Sequence, residues 1–115
     1  MLQHRDLPRS EWRPFFDGLS KALIGKSTEI EVAGADLGDQ LLAEWIPMLG
    51  ISYDTKSDRL DLMLARTSHA IEHPERIGID EDSNGVSVIA VVDREGQRTV
   101  VTLKEPLSLP GARGN

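Results

Sequence analysis

Thr67-Ser68-His69-Ala70-Ile71-Glu72-His73-Pro74-Glu75-Arg76-Ile77-Gly78-Ile79 is the hinge of the chain. It holds two of the three histidines and separates two differently patterned segments. Before it, Gly50-Ile51-Ser52-Tyr53-Asp54 and Arg59-Leu60-Asp61-Leu62-Met63-Leu64 flank the polar turn Thr55-Lys56-Ser57-Asp58. Leu60, Leu62 and Leu64 alternate with Asp61 and Met63, the pattern of a half-buried hairpin strand. After it, Ile77 and Ile79 predict a short strand, and Asn84-Gly85 is a turn signal. Val86-Ser87-Val88-Ile89-Ala90-Val91-Val92 is apolar at both parities, which predicts a central strand covered on both faces. Asp93-Arg94-Glu95-Gly96 turns the chain, and Gln97 to Leu103 returns as the last strand.

Working back to the N-terminus, Leu7-Pro8-Arg9 reads as an extended lead-in. Ser10 is placed to cap a helix, with Glu11 at the positive end of the dipole. Trp12, Phe15, Phe16, Leu19 and Leu23 recur at helical spacing, and Gly25 is the expected stop. Pro14 is early enough to be tolerated. The stripe reads as a face packed on a sheet, with a cofactor groove as the sharper alternative. Thr28-Glu29-Ile30-Glu31-Val32-Ala33 alternates strictly, with Ile30 and Val32 facing in. Gly34-Ala35-Asp36-Leu37-Gly38 is a turn. Gln40 to Ile46 fits a helix face or a strand face, and its strand neighbours favour strand.

Composition excludes more than it assigns. The chain has 115 residues, one domain's worth, with 39% hydrophobic and 28% charged residues, so disorder over its length is not expected. The net charge of −6 opposes phosphate backbones and anionic lipid, and no basic run offsets it. The absence of cysteine removes disulfides, thiolate nucleophiles and zinc–thiolate sites. Met1-Leu2-Gln3-His4-Arg5-Asp6 lacks the apolar core of a signal peptide, and no apolar run approaches a membrane span. The expected compartment is the cytoplasm, with neither nucleic acid nor membrane as a partner.

His69-Ala70-Ile71-Glu72-His73 matches the H-x-x-E-H pattern of inverted zinc peptidases. That chemistry needs a helix, so that both histidines face one metal. Pro74 biases His73 away from helical backbone. The periodicity around it is two. On a strand the histidines lie about 13 Å apart, too far for one ion. No metal or other cofactor is therefore expected. Asp54-Thr55-Lys56-Ser57-Asp58 fails as a calcium loop, with Lys56 at the third position and Ala65 at the twelfth. Nucleophile-elbow, P-loop and dinucleotide glycine patterns are missing, and no spacing supports a serine triad with His69 or His73.

Gly34-Ala35-Asp36-Leu37-Gly38, Glu44-Trp45-Ile46-Pro47-Met48-Leu49-Gly50-Ile51-Ser52-Tyr53-Asp54 and His69 through Ile77 resemble a family of short bacterial proteins, domain of unknown function 5335. Ser10-Glu11-Trp12 and the final hairpin with Asp93 and Gly96 extend the resemblance over nearly the whole chain. It implies a stand-alone bacterial domain, and it brings no activity, cofactor or catalytic residue to carry over.

The resulting expectation is an α+β single domain, residues 1–115. An N-terminal helix of about 11–24 packs on a largely antiparallel, strongly twisted sheet of about six or seven strands over 28–103. A partly closed barrel is the variant, and 105–115 is expected to be a flexible tail. The preferred function is a non-enzymatic interaction or regulatory domain. It is expected to be a homodimer, because one helix covers one face of the sheet and Val86 to Val92 needs cover on the other. The alternative is a small-molecule binding protein or weak enzyme with ligand-binding residues His69, Glu72, His73 and Arg76.

Overall fold

The hinge folds as two strands broken at a single residue. In the computed structural model, which describes residues 2–34 and 38–107, His73 has a φ of 53°. It stands between β5 (Ser68–Glu72) and β6 (Pro74–Asp82). The proline keeps His73 out of the right-handed helical region, as expected, but the residue turns left-handed rather than extended. The His73 N–H donates to the Asp58 carbonyl at 2.8 Å, and its own carbonyl accepts from the Arg94 N–H at 2.9 Å. The hinge is thereby tied to two distant turns.

The remaining elements are β1 (Gln3–Leu7), α1 (Arg9–Leu23), β2 (Ser27–Gly34), β3 (Gly38–Asp54), β4 (Arg59–Leu64), β7 (Gly85–Asp93) and β8 (Arg98–Leu107). The strands form one eight-stranded open sheet, ordered β1-β6-β7-β8-β2-β3-β4-β5, with every neighbouring pair antiparallel. Six or seven strands were expected, and the barrel variant gives way to this open order. The sheet also begins and ends beyond 28–103. Gln3–Leu7 is an edge strand rather than a lead-in. Only Leu7 in it is buried, so no apolar alternation marks it. Residues Glu105 to Leu107, assigned to a frayed tail, extend β8, with Leu107 buried opposite Val86. The rest of that tail, and the centre of the turn at 35–37, lie outside the described residues.

β3 carries the largest correction. It is one strand of 17 residues, which takes up the ambiguous Gln40–Ile46 as strand and runs on through Pro47 and Gly50. Its first half pairs with β2 and its second with β4. The change-over is a bulge: Ala43 lies opposite Ile30 and Ile46 opposite Thr28, so Glu44 and Trp45 together face the span of Glu29. Trp45 takes a φ of 53° there. Two further irregularities leave Leu42 between the Leu41 and Ala43 pairs and Leu49 between the Met48 and Gly50 pairs. Bulges of this kind bend and twist a strand, so one strand serves both halves of the sheet.

α1 packs on β3. Trp12, Phe16, Leu19 and Leu23 are buried from its stripe, and Phe15 is only partly so. The helix starts two residues before the expected Glu11. Pro8 is the capping residue, makes no side-chain cap bond, and leaves Ser10 inside the first turn. At the other end Gly25 has a φ of 83° and donates to the Met48 carbonyl at 2.9 Å. The inner face of the sheet contributes Ile30, Val32, Met48, Ile51, Leu60, Leu62, Ile77, Ile79, Ile89, Val91 and Val101, all buried, to the same core as the helix stripe. No helix among the described residues is long and apolar enough to cross a membrane.

Candidate functional site

The hinge side chain belongs to a polar cluster joining the helix start, the β3–β4 hairpin and the β5–β6 break. Asp58 is its centre. The Tyr53 hydroxyl donates to Asp58 Oδ1 at 2.6 Å, and Arg9 Nη1 donates to the same oxygen at 3.1 Å. His73 Nδ1 lies 3.3 Å from Asp58 Oδ2. Arg9 also reaches the Tyr53 hydroxyl at 3.1 Å and the Pro74 carbonyl at 3.0 Å. Its guanidinium sits 4.3 Å from the Trp12 ring centroid, and Trp12 meets Tyr53 edge-on at 5.3 Å. Trp12 Nε1 donates to the Leu7 carbonyl.

The local backbone explains the convergence. Tyr53 and Asp58 flank the hairpin turn closed by the Asp54–Arg59 pair. Asp58 itself has a φ of 53°, a conformation Asp tolerates better than most residues. The Tyr53 hydroxyl, then His73 and Arg9, stabilise the Asp58 carboxylate and hold its pKa below the usual value. Burial beside that carboxylate raises the Tyr53 pKa. Asp58 and His73 have the form of an acid–base pair, but both carboxylate oxygens are engaged. The hydroxyl in the cluster is a phenol turned away from ionisation. The arrangement works as a clasp.

The four residues expected to share a ligand site fall differently among the grooves of the described residues. Glu72 and His73 line a groove of about 290 Å³ together with Ala70 of β5 and Arg94 of the β7–β8 turn. Arg76 lines a separate groove of about 240 Å³ on the other half of the sheet, with His4, Gly78 and Arg98. His69 lines neither groove. It shares the inward parity of Ile71 and is half-buried, and its Nε2 is buried without a hydrogen-bond partner. Burial lowers its pKa. The break at His73, which has a φ of 53°, removes the common strand face that an unbroken strand would have given the two histidines.

Sequence reasoning missed Arg9, Tyr53 and Asp58 as neighbours of His73. Arg9 lies 44 residues from Tyr53 and 49 from Asp58, and no spacing rule reaches so far.

The outer face of the sheet, opposite α1, presents three rows across the strands. Row one runs His4, Asp80, Val88, Thr102, Glu29. Row two runs Asp6, Gly78, Ala90, Val100, Glu31, Leu41. Row three runs Arg76, Val92, Arg98, Ala33, Asp39. Val88, Ala90, Val92, Val100 and Ala33 form an apolar centre that is only half-buried. His4 lies over Gly78, whose missing Cβ would come 2.6 Å from His4 Cε1. Its ring bridges Asp80 at 2.9 Å and Asp6 at 3.0 Å, and those two bonds raise its pKa. Among the described residues, no carboxylate lies within ion-pair distance of Arg76 or Arg98.

Comparison with known proteins adds relatives without adding an activity. No solved structure matches the chain. A protein of Aquifex aeolicus (strain VF5), described as uncharacterised, is 37% identical over 105 residues, covering 90% of this chain and 95% of its own length. A model of the family of unknown function DUF5335 matches residues 3–112, and the chain therefore belongs to that family.

Proposed function

We propose that this protein is a non-enzymatic interaction domain that works as a homodimer, using the outer face of its sheet. The observation that supports this is the half-exposed apolar centre at Ala33, Val88, Ala90, Val92 and Val100, on the face opposite the only helix among the described residues. Small β-branched and alanine side chains in a flat array pack well against a second sheet, at about 10 Å between layers. Charges ring that centre and would form a polar rim. The clasp at Asp58 supports the same reading from the other side, because its polar groups are already used to hold the fold.

Light scattering at micromolar concentration tests the proposal. Twice the mass of one chain is expected, and the mass of a single chain would overturn it. A second reading, small-molecule binding, draws on the groove shared by Glu72 and His73. Perturbation of the His73 ring signals by small carboxylates or amines, lost in Glu72→Ala, would favour it.

A further inference from the structure

We infer that the outer faces pair about a two-fold axis running across the strands, through the middle row, so that row one of each copy lies over row three of the other. The inference rests on the homodimer reading and adds its geometry. The charge pattern of the rows carries it.

Row one is acidic at Asp80 and Glu29, whereas row three is basic at Arg76 and Arg98. A two-fold axis across the strands keeps each strand over its own copy and exchanges rows one and three. Asp80 then faces Arg76 of the second copy, and the operation repeats the pair, giving two ion pairs. Val88 faces Val92, while Ala90 and Val100 each meet themselves and the His4 ring covers Gly78. Arg98 faces Thr102 of the second copy, one strand away from its Glu29. The other face-to-face two-fold axis, along the strands, would place Asp80 over Glu29 and Gly78 over Glu31. It would bury both arginines against Ala33 and Val92. Like charges opposed and cations desolvated without partners make that arrangement the unfavourable one.

Three features of the free chain fit the first arrangement. Among the described residues Arg76 and Arg98 have no carboxylate partner, so no described ion pair must be broken to pair them. Asp80 spends Oδ1 on His4, and no hydrogen bond occupies its Oδ2. The middle row is small at Ala90, which lets the two sheets approach there. Asp6 and Glu31, at opposite ends of the apolar part of this row, also meet their own copies, and the usual offset of about 30° between packed sheets separates each pair of carboxylates.

The test uses the full chain and two charge reversals, Arg76→Glu and Asp80→Lys, followed by sedimentation velocity. Each variant alone should dissociate about a hundredfold more readily than wild type, since both of its cross-pairs become repulsive. Mixing the two variants should restore a dimer containing one of each, because both cross-pairs are then attractive. The double variant should restore the homodimer. Loss of helical signal in Asp80→Lys would trace to its contact with His4, and Arg76→Glu, which leaves that contact in place, then decides the matter alone. A wild-type dimer unaffected by Arg76→Glu, or no recovery on mixing or in the double variant, overturns this pairing and leaves self-association standing. A monomeric wild type overturns the homodimer reading and the pairing together.

Discussion

Replacing Asp58 with Ala should be among the most damaging changes outside the apolar core. Three side-chain interactions end on its carboxylate: Tyr53 at 2.6 Å, Arg9 at 3.1 Å and His73 at 3.3 Å. Tyr53 is buried, so its stranded hydroxyl costs about 1–3 kcal/mol. Arg9 and His73 are half exposed, and solvent screening reduces their joint share to about 1 kcal/mol. Alanine at a φ of 53° adds up to about 1 kcal/mol relative to Asp. The total is about 2–5 kcal/mol, or a melting temperature lower by about 8–20 °C for a chain of this length. Asp58→Asn keeps an acceptor for Tyr53 and tolerates the left-handed backbone, so it should lose about 1 kcal/mol. Asp58→Gly relieves the backbone and should fall between the two. Urea unfolding of the three variants gives the order directly. An Asp58→Ala variant within about 0.5 kcal/mol of wild type would refute the clasp, because it would mean that the hinge holds without its centre.

Phe16→Ala should cost about 3–5 kcal/mol by thermal or urea melts, since Phe16 is 0% exposed against the sheet. An unchanged melt would place the helix face in solvent. His69 has a pKa lowered by burial from 6.5, so the folded chain resists protonating it. Stability should fall as the pH drops below 6.5 toward that lowered value, and His69→Leu should flatten this part of the profile. Asp58 has a carboxyl pKa lowered from 3.8, so its contribution is full above pH 3.8 and disappears as the pH falls through the lowered value. Asp58→Asn should remove that acid limb from a stability titration. Gly78→Ala should push the His4 ring from its seat, where a Cβ would come 2.6 Å from Cε1. Its pKa, followed by NMR, should then return toward 6.5, and a value unchanged from wild type would refute the seating.

The sequence was readable wherever one side of a strand is apolar. Leu60, Leu62 and Leu64 located β4, Ile30 and Val32 located β2, and the two-faced run Val86–Val92 located the middle of its half of the sheet. β1 was missed because its buried content is a single leucine, and its pairing with β6 depends on backbone and on His4, Arg5 and Asp80. β3 looked like two pieces because Pro47 and Gly50 ordinarily interrupt a strand. Here Pro47 lies beside a bulge, and its carbonyl still accepts from the Ala65 N–H at 3.0 Å. The hinge was recognised as the organising stretch, but its partners were not. What fixes His73 comes from Asp58 and Arg94, neither of which has a fixed sequence offset from it.

On the proposed reading, two copies meet at the outer sheet face. Sedimentation equilibrium of wild type beside Ala90→Arg tests it most directly, because Ala90 lies in the middle row of that face, between Gly78 and Val100. Its side chain is half-buried and points away from the core formed by Ile89 and Val91. A dimeric wild type and a folded, monomeric variant, its melt lower only by the stability that association adds, is the predicted result. A wild type of single-chain mass, or a variant that stays dimeric, would contradict it.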